Sequence, residues 1–253
     1  MGRWRTLLIA IAFVPMLGWA QAGGGMTLEQ VAQTRAVTRA AISPGGDQVA
    51  YVLSVPRRPG VDPDGRAHLE LHVVDRAGNS RGYVTGETTV GAIGWFPDGR
   101  HIAFLARRDG KRTTGLYRIP LDGGEAQRVA GLDANVTAFS LSPDGRRAAL
   151  LSQEPVDKDT QALRDKGFSQ KVYEEDWRPV GLWIAGLEDG EAAPRRVPVE
   201  GSVQSVHWSP AGDRLALVVT PRQLTDDTLV FARVRIIDLQ GRELGRVDNP
   251  GKL

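Results

Sequence analysis

The chain has no cysteine, and only four histidines among its 253 residues. Without cysteine it has no disulfide framework and no lipoprotein anchor, which requires a cysteine to carry the lipid. Long apolar runs are also missing. The longest, Leu7 to Leu17, is too short to span a bilayer comfortably. Behind the basic Arg3 and Arg5 and ahead of Ala20-Gln21-Ala22, that run reads as a secretory signal peptide over residues 1–22, cleaved after Ala22. A retained membrane anchor is the competing reading, and the short apolar run disfavours it. Net charge of either sign is lacking as well. Without Arg3 and Arg5, 30 of the 32 basic residues face 30 acidic ones, so the sequence pI of 9.1 is no nucleic-acid footprint. Arg57-Arg58, Arg107-Arg108 and Arg195-Arg196 read as isolated pairs on solvated surface, because no aromatic platform accompanies them.

What is present is a repeat. Trp95-Phe96-Pro97-Asp98-Gly99-Arg100 followed by His101 to Leu105 spells a tight turn and then a buried strand. Proline presets φ, aspartate bonds the backbone ahead of it, and Gly99 accepts a positive φ. The unit recurs at Ser43-Pro44-Gly45-Gly46-Asp47, Ser142-Pro143-Asp144-Gly145-Arg146 and Ser209-Pro210-Ala211-Gly212-Asp213. The four prolines stand 53, 46 and 67 residues apart. Downstream of each turn lies a further strand ending in an acidic residue near glycine: Asp75 before Gly78, Asp122 before Gly123, Glu188 before Gly190, and Asp238 before Gly241. Apolar stretches such as Val90 to Trp95 and Val203 to Trp208 precede the turns. Four strands per unit, at a period of about 40–50 residues, predict an all-β fold of propeller blades. The expected blades are 37–88, 89–133, 134–201 and 202–250. A leader with a short helix over 23–36 precedes them, and Thr27 with Gln30 forms its capping box. Residues 249–253 read as the connection into a fifth blade, so that 37–253 is a partial propeller. The faces left uncovered are expected to carry residues such as Phe104, Leu150 and Leu217, or their neighbours.

The third unit is longer. From Glu154 to Arg178, twelve of 25 residues are charged, which predicts a projecting loop, with or without a helix around Thr160 to Lys166.

Candidate chemistry is sparse. Gly78-Asn79-Ser80-Arg81-Gly82 matches the nucleophile-elbow pattern, but Tyr83-Val84-Thr85 after it is no helix, so Ser80 reads as a hairpin residue. His68 and His72 are four apart on a predicted strand and have no third ligand, so no metal site is expected. Asp98 and Asp144 recur because the turn needs them, and a calcium role is not expected. No cofactor is implied.

The Ser-Pro-Asp-Gly-Arg units resemble TolB-type propeller repeats. The export signal, the Met26-Thr27-Leu28-Glu29-Gln30 helix, the first Ser-Pro-Gly-Gly unit and Val172-Tyr173-Glu174-Glu175-Asp176-Trp177 together resemble the start of secreted prolyl oligopeptidase-family serine peptidases, the dipeptidyl-peptidase and acylaminoacyl-peptidase relatives. The resemblance implies a propeller of seven or eight blades over an α/β-hydrolase domain that carries Ser, Asp and His. This chain would supply about half of that propeller and no catalytic residue. It also implies peptide or protein substrates, the hydrolase domain as partner, and neither nucleic acid nor membrane as partner after cleavage. The expected location is periplasmic or secreted. Dipeptidyl peptidases of the family hold the substrate's N-terminal amine with a propeller glutamate pair, which would make Glu174 and Glu175 substrate-binding here. Their local order departs from the family's, since they precede a strand pattern and not a Trp-Ser-Pro turn. The alternative is a TolB-like periplasmic propeller that binds proteins and catalyses nothing.

Overall fold

The Pro-Gly unit folds into one structure four times over. In the first copy the Gly46 N–H donates to the Ser43 carbonyl, and the Ser43 N–H donates to the carbonyl of Gln48. The same two bonds close the turns at Phe96, Ser142 and Ser209. Gly46, Gly99, Gly145 and Gly212 all lie at φ between 65° and 70°, where a Cβ would strain the chain. In three copies the serine hydroxyl bonds an aspartate further along the turn: Ser43 to Asp47, Ser142 to Asp144 and Ser209 to Asp213. Phe96 replaces the serine in the second copy. There Asp98 accepts from the N–H groups of Arg100 and His101 and pairs with His101 Nδ1 at 2.6 Å.

These turns join the first two strands of four antiparallel sheets. The computed structural model describes residues 25–168, 170, 172, 174–175, 177–188 and 193–247. The first sheet contains β1 (Ala36–Ile42), β2 (Gln48–Val55), β3 (His68–Asp75) and β4 (Ser80–Val84). The second contains β5 (Ile93–Trp95), β6 (His101–Ala106), β7 (Gly115–Pro120) and β8 (Gln127–Ala130). The third contains β9 (Val136–Leu141), β10 (Arg147–Gln153), β11 (Val180–Gly186) and β12 (Arg195–Val197). The fourth contains β13 (Ser202–Trp208), β14 (Arg214–Thr220), β15 (Arg233–Asp238) and β16 (Glu243–Val247). Each sheet is a meander in which sequential strands are neighbours, the plan of a propeller blade. Ahead of them the helix α1 (Leu28–Ala32) carries the expected capping box between Thr27 and Gln30. The signal segment and residues 249–253 lie outside the described residues. Among the described residues no helix is long and apolar enough to cross a membrane.

The core is three layers, one between each pair of consecutive blades. Ala50, Val52, Leu71 and Val73 of blade 1 pack on Ile102, Phe104 and Tyr117 of blade 2. Leu105 and Leu116 of blade 2 meet Ala148 and Leu150 of blade 3. Leu151 and Leu182 of blade 3 meet Leu215 and Leu217 of blade 4. Each Val, Leu, Ile and Phe among them contributes about 1.5–3 kcal/mol by leaving water. The middle blades are covered on both faces, so Ile102 to Ala106 and Ala148 to Ser152 are buried without interruption, as in any strand sandwiched between layers. The end blades alternate instead. Along β14, Leu215, Leu217 and Val219 are buried while Ala216 and Val218 are half-exposed.

This corrects the residues named for the uncovered faces, while Val218, a neighbour of Leu217, does face outward. Phe104, Leu150 and Leu217 are at most 1% exposed, each lying between blades. The outward faces of the end blades carry other residues: Ile42, Val49, Tyr51 and Leu53 on blade 1, and Val218, Val234 and Val247 on blade 4. The two-residue period of a strand decides the matter, because it puts Leu217 and its neighbours on opposite faces.

Polar contacts set the stagger between blades. Trp95 and Trp208, at the ends of β5 and β13, each donate the indole N–H to the preceding blade, at the carbonyls of Ala41 and Ser140, 2.9 Å in both cases. Arg147 donates to the Gly212 carbonyl at 2.9 Å and lies over the Trp208 ring.

Candidate functional site

The topology gives the blades two different rims. The turn rim holds the Pro-Gly turns and the β3–β4-type hairpins. The loop rim holds the connections 56–67, 107–114, 154–179 and 221–232, together with the links between blades.

The 154–179 excursion is pinned at its neck. The Glu154 N–H donates to the Pro179 carbonyl at 2.8 Å. Arg178 donates to the Glu154 carbonyl and to Gln153 Oε1, at 2.9 and 2.8 Å. Beyond the neck runs α2 (Lys158–Asp165), starting two residues before the helix the sequence suggested. Asp157 caps it by accepting the Thr160 N–H at 2.8 Å, and its contact with Thr160 holds the carboxyl below its ordinary range. Glu174 and Glu175 follow in an exposed turn. Glu174 has φ +71°, and the Glu175 N–H donates to the Val172 carbonyl at 3.3 Å.

The neighbouring blade answers with a feature that the sequence did not announce. The helix α3 (Thr225–Val230) has Leu224 at its N-cap with no side-chain cap bond, so the usual start signal is missing. It is fixed instead from within, by the Asp227 side chain, which is only 2% exposed. Asp227 accepts from the Arg222 N–H and in fork geometry from its guanidinium, at 2.9 and 3.0 Å. The pairing lowers the Asp227 pKa and raises that of Arg222. The Glu174 carboxylate adds a further, smaller upward push on Arg222. The two loops therefore share one electrostatic environment. Beneath α3, Gln223 Oε1 accepts from Ser202 and Gln204, and Gln204 also donates to Thr220.

On blades 1 and 2 the same rim is basic. The Arg108–Lys111 turn, closed by a 3.0 Å bond from the Lys111 N–H to the Arg108 carbonyl, has φ +58° at Asp109 and +68° at Gly110. Two positive φ values in succession define the tight type I′ hairpin turn. The buried Tyr117 hydroxyl donates to the Arg108 carbonyl at 3.3 Å and stiffens it further. Arg57, on the adjacent blade, approaches Glu87 at 3.9 Å, and Glu87 lines a polar cavity of about 560 Å³ together with Arg107 and Arg108. Arg57 and the pair Arg107-Arg108, 50 residues on in sequence, thus come near one glutamate, in a cavity that Asp109 and Glu125 also line. The third pair is spent elsewhere: Arg196 bridges to Glu154 and Arg195 donates to the Leu239 carbonyl. Arg58 is engaged with Asp62, whose pKa its hydrogen bonds bring down to about 2.

Of the remaining candidates, Ser80 and His72 fall away from this rim, and His68 lies at its edge without a metal-ligand partner among the described residues. Ser80 is the first residue of β4, not part of the turn itself, and its Oγ lies 2.7 Å from the Tyr51 hydroxyl. The nearest imidazole, His72, stacks on Tyr51 and pairs with Glu70 at 3.0 Å. A base must reach the nucleophile's proton, and His72 bonds a carboxylate instead. His68 lies at the far end of β3.

No family model matches the chain. In sequence it is 24% identical over 208 residues to dipeptidyl-peptidase 5 of Porphyromonas endodontalis, covering 78% of this chain and 29% of that protein. In structure it is similar to the acylaminoacyl peptidase of Pyrococcus horikoshii, with a TM-score of 0.61 at 16% identity over 87% of this chain and 33% of the other. TolB from Acinetobacter baumannii gives a TM-score of 0.51 at 15% identity over 84% of this chain and 43% of that one. The chain spans about a third of the peptidases it matches. It is thus a set of four consecutive β-propeller blades, similar in sequence to dipeptidyl-peptidase 5 and in fold to the propeller-bearing acylaminoacyl peptidase and TolB.

Proposed function

We propose that these blades gate and orient peptides for a serine peptidase of the prolyl oligopeptidase family, with the Ser, His and Asp residues supplied by an α/β-hydrolase domain outside these 253 residues. The observation that carries this reading is the similarity to dipeptidyl-peptidase 5 along 78% of the chain. In this reading residues 1–22 direct export to the periplasm or beyond, the leader and helix end at 36, and further blades cover the outward faces of blades 1 and 4. Glu174 and Glu175 receive the substrate's N-terminal ammonium. Their exposure side by side in a turn supports that role, because two neighbouring carboxylates can form charge-assisted bonds to one ammonium.

The test is binding of short peptides to the full chain by calorimetry. A peptide with a free amine should bind up to about fivefold more tightly than its N-acetylated form, the scale of a partly exposed ion pair. The E174Q/E175Q double variant should erase that difference. Equal affinity for the two forms rules out ammonium recognition. The likeness to TolB favours a second reading, a non-catalytic protein-binding propeller. For that reading, short peptides of either form would leave the calorimetric signal flat.

A further inference from the structure

Three tryptophans stand on blade strands, and they are used differently. Trp95 and Trp208 spend the indole N–H on carbonyls of the preceding blade. Trp183, in the middle of β11, packs half-buried against the layer between blades 2 and 3. Its N–H makes no hydrogen bond among the described residues and is not sealed from water. The ring occupies the space that a side chain at position 181 would need. A Cβ on Gly181 would meet the indole Cη2 at 2.7 Å and Cζ3 at 2.9 Å. Gly181 has no positive φ, so it is the indole and not the backbone that asks for glycine there.

Trp183 forms one wall of a second cavity of about 560 Å³, between blades 2 and 3, together with Leu132, Pro155 and Pro194. That volume lies within the range of small-ligand sites. The walls are set before any ligand arrives. Ser152 Oγ donates to the Asn135 carbonyl at 2.9 Å, and Gln153 Oε1 accepts from Arg178 at 2.8 Å. Glu154, beside Pro155, is bonded at the loop neck and to Arg196. The prolines have no side-chain rotamer freedom to lose.

This lining selects by chemistry. Among the described residues its charges are Arg128 and Asp133, one of each sign, so it offers no net attraction to an ion. The hydroxyl and amide that a sugar would use, on Ser152 and Gln153, are already engaged. What remains is an apolar space with an indole wall and an available N–H donor. An aromatic side chain suits it. Aromatic pairs gain more than the area they bury accounts for, and a peptide carbonyl can accept from the indole.

We infer that the cavity between blades 2 and 3 is a subsite for an aromatic side chain of a bound peptide, with Trp183 as its stacking wall. The inference takes peptides as the ligands, as proposed above, and adds a side-chain preference that needs neither Glu174 nor Glu175.

The experiment uses the full chain and two blocked peptides that carry no ammonium, acetyl-Gly-Phe-Gly-amide and acetyl-Gly-Leu-Gly-amide. Calorimetry measures binding. Nitrogen-15 spectra follow the Trp183 indole N–H, recognised by its loss in W183F. The phenylalanine peptide should shift that signal and bind roughly two- to tenfold more tightly than the leucine peptide, the range of an aromatic pair beyond its area. W183L should erase the preference, and W183F should keep part of it. G181A, whose Cβ would displace the indole, should lower it. F231A, at an exposed aromatic on the loop before β15, should leave it intact. Far-UV circular dichroism checks folding, and the indole shift in the unaltered chain carries the test if W183L misfolds. Equal binding of the two peptides overturns the inference, as does a phenylalanine preference that survives in W183L. A Trp183 signal that moves with maltose and not with the phenylalanine peptide overturns it in favour of a sugar. Free-amine peptides that bind while Trp183 stays indifferent overturn this subsite and leave ammonium recognition standing. Silence from every peptide, free or blocked, overturns the peptide reading and this inference with it.

Discussion

On the turn rim the loops after Ile42, Trp95, Leu141 and Trp208 are one structure copied four times, down to the pair of backbone bonds and the positive φ of the last glycine. On the loop rim the connections at 56–67, 107–114, 154–179 and 221–232 do not share a conformation: one is a tight hairpin, two contain helices, and each has its own internal pairing. The same strands feed both rims. What differs is the work each rim does. The turn rim closes hairpins and touches the next blade, with Pro97 against Gly145 and Pro143 against Gly212, so its geometry is constrained by the repeat. The loop rim is constrained only at its strand ends, so its residues are free to carry charge.

That contrast predicts unequal responses to the same substitution. Gly145 and Gly60 both have φ near 70°, but a Cβ on Gly145 would come within 3.1 Å of Pro97, whereas at Gly60 nothing lies within 4 Å. Gly145→Ala should therefore cost about 2 kcal/mol and Gly60→Ala about 1 kcal/mol, the latter from the backbone conformation alone. Urea unfolding of the two variants checks the ratio. Equal costs would show that contact between successive turns adds nothing.

Acid should unsettle the turn rim next. Asp47, Asp144 and Asp213 are held below the usual carboxylate range chiefly by the hydroxyls of Ser43, Ser142 and Ser209. At Asp98 partial burial pushes upward, but the Arg100 N–H and the His101 ring outweigh it. Each folded pKa lies below its unfolded value. The stability these groups contribute is complete above the unfolded carboxylate range near pH 4 and is lost as pH falls through the depressed values. Urea midpoints should be flat from pH 7 to about pH 5 and fall between about pH 4 and pH 2. S43A, S142A and S209A combined should make that acid limb shallower, the remainder coming from Asp62, Asp157 and Asp227, which are also held low.

The smallest effect belongs to Ser80, which lies on neither rim's working surface. Ser80→Ala removes one partly exposed bond to Tyr51 and should change stability by less than about 0.5 kcal/mol. A fluorophosphonate probe should leave Ser80 unlabelled. Stoichiometric labelling would mean that a base reaches it in solution.

The sequence by itself determined the repeat, the four hairpin turns, the strand count and the α1 capping box, because each is written in residues within a few positions of one another. Pro97, Asp98 and Gly99 act on adjacent backbone, and Thr27 reaches only to Gln30. It could show that Ala148 to Leu151 is apolar, but not that both faces are covered, since burial depends on the blades on either side. It named Glu174 and Glu175 without being able to say what stands near them. α3 went unseen because its anchor is the interior pairing of Asp227 with Arg222 rather than an N-cap side chain. The arginine pairs looked isolated because 50 residues separate them along the chain, and only the stacking of blade 2 on blade 1 brings Arg57 near Glu87 and puts Glu87 in the same cavity as Arg107. Turns are decided by local sterics and local hydrogen bonds. Neighbourhoods of charge are decided by packing, and packing is fixed only when the layers close.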